Sequence, residues 1–401
     1  MTNRDRASLL ILGAAAFMVN ADARVIEPLL HVIADDFQVN VAQAAIVSSL
    51  YTLPYGLFQL FYGPLGDRVG KLKVKSIALA LFAIGTALCA FVPSLTIFAL
   101  LRFLTGVVAA AIIPLSLAYI GDKFPYEERQ AALSRFMSAI MMGQILSVTV
   151  GGIFGQYVGW RGIFILFGVI SLIIAGGLWR ESQRFPEERK APPGSKLINL
   201  APFGKLLQNP ASRLVIIAVF IEGFCFFGAQ LYLGAFLSEG QFALSSVQVG
   251  LSLAAIGLGG LIYSVTVKKL VKKIGELGIL VLGGALMTSG FLLISQITSV
   301  AFFFPCALLL GMGFYTMHST LQTKATEMAP GARGTAVSFF AFALFLGQST
   351  GVYTFGKIVD NYSYRAAFFT AGIAIALLAL WARWQFPRLK PAPKAPDVVP
   401  V

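Results

Sequence analysis

Apolar residues in this chain run on for stretches that no soluble helix or strand would need, and short polar segments separate them. Residues 76–101, SIALALFAIGTALCAFVPSLTIFALL, carry no charge, and residues 277–323 carry none apart from a proton that His318 can take. A helix crossing a bilayer needs about 20 apolar residues. The longer run holds two spans and the shorter one joins most of one span to the start of the next, with the chain folded back at Pro93-Ser94 and near Thr298-Ser299. The whole pattern predicts twelve spans, at about 8–33, 42–63, 73–92, 95–120, 130–156, 160–179, 213–237, 246–267, 277–296, 299–323, 334–356 and 364–384. Backbone groups in lipid must be satisfied within the membrane, and the alternation of a transmembrane strand is absent, so the spans are helices. The expectation is an all-α membrane protein. Two arginines precede the first apolar run, which continues into NADARVIEP without a small-residue cleavage site and reads as an uncleaved first helix.

Composition agrees. Of 401 residues, 57% are hydrophobic and 12% charged, with a mean hydropathy of +0.79; soluble domains carry about a quarter charged residues. The net charge of +13 raises the question of nucleic acid, and its distribution answers it. Arg161, Lys357 and Arg365 fall on one side, Arg24 and Arg102 lie within spans, and the remaining Lys and Arg fall on the side of the termini. That is the positive-inside pattern. It places both termini in the cytoplasm of a bacterial inner membrane and explains the basic balance without nucleic acid. Cys89, Cys225 and Cys306 sit in apolar runs without metal spacing, as small core residues do. No metal site or cofactor is expected.

A basic, proline-containing segment, 180–212, divides the chain into six-helix halves, 1–179 and 213–386, followed by a tail, 387–401. The halves repeat. Pro125 and Pro330 each lie 19 residues after a glycine, and Arg129 and Arg333 follow them. Gly143-Gln144 matches Gly347-Gln348, Gly152 matches Gly356, and Trp160-Arg161 matches Tyr364-Arg365, always 204 or 205 residues apart. Six is even, so the two repeats are parallel, an arrangement of secondary transporters with substrate held at the midplane between the halves.

The loop after the second span, GPLGDRVGKLKVK, resembles the signature loop of the major facilitator superfamily, G-x-L-x-D-R-x-G-R-K. Gly63, Leu65, Asp67, Arg68, Gly70 and Lys71 match, and Leu72 stands where a second base is usual. Its glycines suit a tight turn, and Asp67 can face the positive end of a neighbouring helix. The fourth span, LLRFLTGVVAA, is similar to the family pattern R-x-x-Q-G-x-x-A-A, with Thr105 in place of Gln. The resemblance implies the major facilitator fold, a gating role for the loop and a part in proton coupling for Arg102. A membrane arginine must be paired or line water, or it snorkels to the surface. In the fifth span Gly143, Ser147, Gly151 and Gly155 recur every four residues, a small-residue stripe for close helix packing. Overall the chain looks most like the bacterial twelve-helix drug/proton antiporters, although Ser147-Val148 stands where these usually carry Gly-Pro.

The first span adds charges to its apolar run. Arg24 and Glu27 share a helix face, and His31 extends it. Asp22 lies roughly opposite, some 20 Å along the helix, and is expected to be the unpaired acid. Pro28 is expected to bend the helix there. Intramembrane acids mark transport paths, so Asp22, Glu27, Arg102 and Glu222 are candidates for proton coupling, against the alternative of a static ion-pair cluster. Glu222 stands among Phe220, Phe224, Phe226 and Phe227, a carboxylate with aromatics that suits a cation. Arg24, Tyr51, Tyr55, Gln59, Gln144, Phe224, Phe227, Tyr315, His318, Gln322 and Gln348 are candidates for the substrate cavity. The chain lacks a phosphate-binding G-x-x-x-x-G-K-[ST] loop, a dehydrogenase fingerprint and a nucleophile elbow, which points away from an enzyme or an ATP-driven pump. The expectation is a monomeric secondary transporter exchanging small amphipathic molecules for protons, with carriage of a defined metabolite such as a sugar or organic anion as the alternative.

Overall fold

The computed structural model describes residues 3–184, 201–329 and 333–388. The expected linker at 185–200, Pro330 of the repeat and the tail from 389 lie outside the described residues. Among those described, every regular element is helical. Six spans form the first bundle: Asp5–Arg24, Val41–Val69, Lys71–Phe91, Leu95–Lys123, Glu128–Tyr157 and Trp160–Arg184. Six form the second: Pro210–Ser238, Ser246–Val267, Lys269–Ile294, Val300–Glu327, Gly334–Asn361 and Tyr364–Gln385.

Three boundaries differ from the sequence reading. The first span is not one helix over 8–33; it stops at Arg24 and resumes as Ile26–Asp36. Pro28 has no N–H for the Arg24 carbonyl, and its ring crowds that oxygen. The divider at 180–212 is partly helical, because the sixth span runs to Arg184 and a short helix covers Ala201–Gln208. The seventh span then starts at Pro210, with the Asn209 side chain accepting from the Ala211 N–H at 2.9 Å, an N-cap followed by proline in the first turn. The third difference is the glycine-rich loop. Residues 63–69 are helical, the last turns of Ile46–Val69, and only Gly70 leaves helical geometry, at φ 106°. Gly275, 205 residues on, has φ 67° and makes a similar break, near the start of the ninth span.

The repeat extends to individual contacts. A Cβ on Gly106 would strike the Tyr51 carbonyl, and one on Gly311 would strike that of Ile256. Gly85 meets Thr105 as Gly290 meets Leu310, and Gly143 meets the Phe17 backbone as Gly347 meets that of Phe220. Close backbone approach through small residues is how helices associate where lipid provides no hydrophobic drive. The Trp-Arg and Tyr-Arg markers have a physical role too. Arg161 donates to the Val92 carbonyl at 3.5 Å and Arg365 to that of Ile297 at 2.7 Å, each tying down the turn between a third and a fourth helix of its bundle.

The bundles meet tightly on the side away from the termini. Gly234 lies against the Glu27 carbonyl, Gly250 against that of Val148 and Gly152 against that of Ser246. Ser49 and Ser349 each donate to the other's carbonyl, at 3.2 and 3.1 Å. Toward the terminal side Met137 and Gln322 face an open space between the bundles.

Candidate functional site

That space is a cavity of about 350 Å³ between the bundles. The first, second and fifth spans contribute Arg24, Tyr55 and Gln144, and the seventh, tenth and eleventh contribute Phe227, Tyr315, His318, Gln322 and Gln348. Of the cavity candidates, Tyr51, Gln59 and Phe224 sit elsewhere. Tyr51 packs its ring 4.0 Å from the Arg102 guanidinium and donates to the Val19 carbonyl. Gln59 is buried in the second span. Phe224 packs against Phe220 and Phe355, where the seventh and eleventh spans approach closely.

The buried acids are all paired. Asp22 is not the unpaired acid expected from its position on the helix: its carboxylate meets Arg102 Nη1 at 2.5 Å, and both side chains have no exposed surface. The fourth span brings Arg102 there because Gly106, one turn on, lets that helix touch the second. The arginine therefore pairs internally and does not snorkel. Glu27 accepts from Arg24 at 3.1 Å, as their spacing predicts, and from Gln230 of the other bundle at 3.1 and 3.3 Å. His31 does not extend that pair; it reaches Asp35 and, across the bundle seam, Glu239.

Glu222 reaches across to the tenth span. It bonds His318 Nδ1 at 2.8 Å, and its other oxygen is buried without a partner. The imidazole lies between the rings of Phe314 and Phe340, at 5.0 and 5.3 Å. One edge of His318 reaches the cavity while Glu222 behind it does not. Gln144 and Tyr315 join the bundles across the cavity through a 2.5 Å hydrogen bond. Asp67 pairs at 2.8 Å with Lys71, the first residue of the following helix, and Lys71 also reaches Asp122 at 3.0 Å. That clamp joins the second, third and fourth spans. In the fifth-span stripe, Gly143 packs on Phe17 of the first helix, Gly151 on Val25 at the break and Gly155 on Leu29 of the segment that follows, and Ser147 is buried between them.

A cavity between two repeated six-helix bundles is the architecture of one large transporter group. The Major Facilitator Superfamily profile matches residues 12–352. The chain belongs to the Major Facilitator Superfamily. It is 26% identical to YceJ, an uncharacterised MFS-type transporter of Bacillus subtilis, over 91% of this chain and 93% of that one. It is 25% identical to the chloramphenicol resistance protein CraA of Acinetobacter baumannii, over 93% and 89%. Its fold is similar to that of a bacterial homologue of the lysosomal transporter Spinster in an inward-facing state, with TM-score 0.77, 17% identity, and 98% and 100% covered. The protein is a multi-pass membrane transporter.

Gln230, Glu239 and Phe314 were not singled out from the sequence. Gln230 and Glu239 act across the bundle seam, and only the Gln in an otherwise apolar run gave a signal. Phe314 is one of 34 phenylalanines, most of which in such a protein can face lipid.

Proposed function

We propose that the protein exports small hydrophobic or amphipathic compounds in exchange for protons, by alternating access in a bacterial inner membrane with both termini cytoplasmic. The observation that carries the reading is the His318–Glu222 pair on the cavity wall. The imidazole is within reach of an aqueous cavity and the carboxylate behind it is sealed from water. Such a pair can take up one proton and share it as a unit. A cationic substrate in the cavity gains from the ionised acid. Proton and substrate then compete for one charge state, which is exchange. Rings and methyl groups make up much of the wall, with Arg24, the Gln144–Tyr315 pair, Gln322 and Gln348 as its polar points, and this suits amphipathic molecules better than a sugar. Likeness to a chloramphenicol resistance protein favours the same reading.

With the basic side placed inside, the cavity opens inward and the glycine contacts hold the outer side shut. The Asp67–Lys71–Asp122 clamp then sits at the inner end of the first bundle, where it would hold the second, third and fourth spans together as the bundles rock. The second reading, transport of a defined metabolite, is favoured by Ser147-Val148, since Val148 lies where Gly250 of the eighth span crosses the seam. Everted vesicles test both. A proton gradient should drive uptake of lipophilic cations, and Glu222→Gln should abolish accumulation while downhill exchange persists. Uptake of sugars or organic anions alone, or full accumulation by Glu222→Gln, would overturn the proposal.

A further inference from the structure

A second, larger hollow lies outside the transport path. It measures about 810 Å³ and opens on the lateral surface of the first bundle, within the size range of small-ligand sites. The fifth and sixth spans join at the Val158-Gly159 turn and leave the first span exposed between them toward the terminal side. Leu10, Ala14 and Phe17 of the first span line its floor, and Ala139, Ile170 and Ile174 its sides. Leu10 is 74% exposed in the middle of an apolar helix. Arg6 and Arg135 stand at the terminal end of the hollow, one from each of two spans, and both are exposed.

The dimensions fit one leaflet. From Arg6 to Phe17 is eleven residues, about 17 Å of helix, against about 15 Å for half of the hydrocarbon core. The arginines thus lie at headgroup level when the apolar floor lies at acyl-chain level. Two guanidinium groups can hold a phosphate through paired, charge-assisted bonds, and the surface facing the hollow is lipid. We propose that this hollow is a binding site for an anionic phospholipid of the leaflet on the terminal side, with one acyl chain along the first span and the headgroup phosphate held by Arg6 and Arg135.

The site differs from a general attraction of basic loops for acidic lipid, because two arginines and a groove must act together. The full-length protein, reconstituted in nanodiscs of phosphatidylcholine with phosphatidylglycerol, is released into native mass spectrometry, and retained lipid is counted by class. Phosphatidylglycerol should be retained in preference to phosphatidylcholine. Arg6→Gln with Arg135→Gln should lower that preference by about fivefold per arginine. Lys272→Gln with Lys273→Gln, on the same side but in the second bundle, should leave it in place. Ala14→Trp, which fills the groove, should reduce retention of the lipid while both arginines remain. The proposal fails if the wild type retains both lipids equally, if the preference survives loss of both arginines, if the lysine variant loses it equally, or if Ala14→Trp changes nothing.

Discussion

Each bundle buries an acid with a basic side chain against it, and the two pairs do not occupy equivalent places. Asp22 lies five residues beyond Phe17, and five residues beyond Phe220, its counterpart in the repeat, stands Cys225. The position matching Arg102 is Ala307, and the one matching Tyr51 is Ile256. In the other direction, Glu222 corresponds to Val19 and His318 to Ile113. The glycine contacts that set the helices are common to both halves, so a shared scaffold carries different chemistry on each side. The first pair is sealed, with an aromatic ring against the guanidinium. The second touches the cavity through His318. The difference separates a pair suited to hold a bundle together from one suited to exchange protons with the cavity.

The sealed pair gives the largest expected effect. Arg102→Met leaves Asp22 buried without its partner, and breaking a buried pair costs about 3–5 kcal/mol. Folded yield and thermal stability in detergent should both fall steeply. The double variant Asp22→Leu, Arg102→Met removes both charges, and apolar replacement of a buried pair is often neutral or stabilising, so stability should return. pH-driven transport by the restored protein would keep the contrast between the pairs. A well-folded double variant without coupling would break it and move the proton site to the first bundle.

A smaller effect tests the common scaffold. Gly106→Ala and Gly311→Ala each place a methyl group against a backbone carbonyl, and overpacking of this kind costs about 1–3 kcal/mol. The two variants should lose similar thermal stability. A loss confined to one bundle would mean that the repeat is matched in sequence but not in packing.

These two contacts also show what the sequence made legible. Span number, helical class and the parallel repeat follow from apolar run length and from glycines at a constant offset, which are local or periodic signals. The Arg24–Glu27 pair was readable because its partners are three residues apart on one helix. Asp22–Arg102 was not: its partners are 80 residues apart, and helical spacing within one span says nothing about what a different span presents. The same limit hid His318 behind the phenylalanines near Glu222, and it placed Tyr51 and Gln59 in the cavity because they share a helix with Tyr55. The glycine-rich loop misled in another way. Gly63 and Gly66 looked like turn formers, yet Gly66 is there for close contact with Leu115 and only Gly70 needs a positive φ.

The open pair should respond to His318→Gln with a modest stability loss, about 1–3 kcal/mol, since Glu222 keeps one hydrogen-bond partner but loses the base. Its effect on transport is diagnostic. The dependence of uptake on pH should flatten or move, while affinity for a neutral substrate changes less. An unaltered pH profile, measured in proteoliposomes and normalised to folded protein, would leave the second pair as a structural feature like the first.

The smallest expected effect lies between the bundles, where a third acid is neither sealed nor in the cavity. Glu239 follows the seventh span and bonds His31 of the first bundle at 3.2 Å and the Tyr364 hydroxyl at 3.0 Å. The hydrogen bond with His31 holds its carboxyl below the ordinary carboxylate range. A lowered value in the folded protein means stabilisation that is present above the ordinary carboxylate range and lost as pH falls through the lowered value. Both side chains are about a third exposed, so water and salt screen the contact and its worth is below about 1 kcal/mol. Glu239→Gln should therefore lower stability slightly at neutral pH and not at strongly acidic pH, where the wild type has lost the charge as well. Because the contact ties the side of the bundles that is shut, the same variant should raise the labelling rate of a cysteine introduced at Ala42, which packs on Gly356 beside the seam. Equal labelling in the two proteins would confine Glu239 to a surface contact and leave closure to the glycine-lined seam alone.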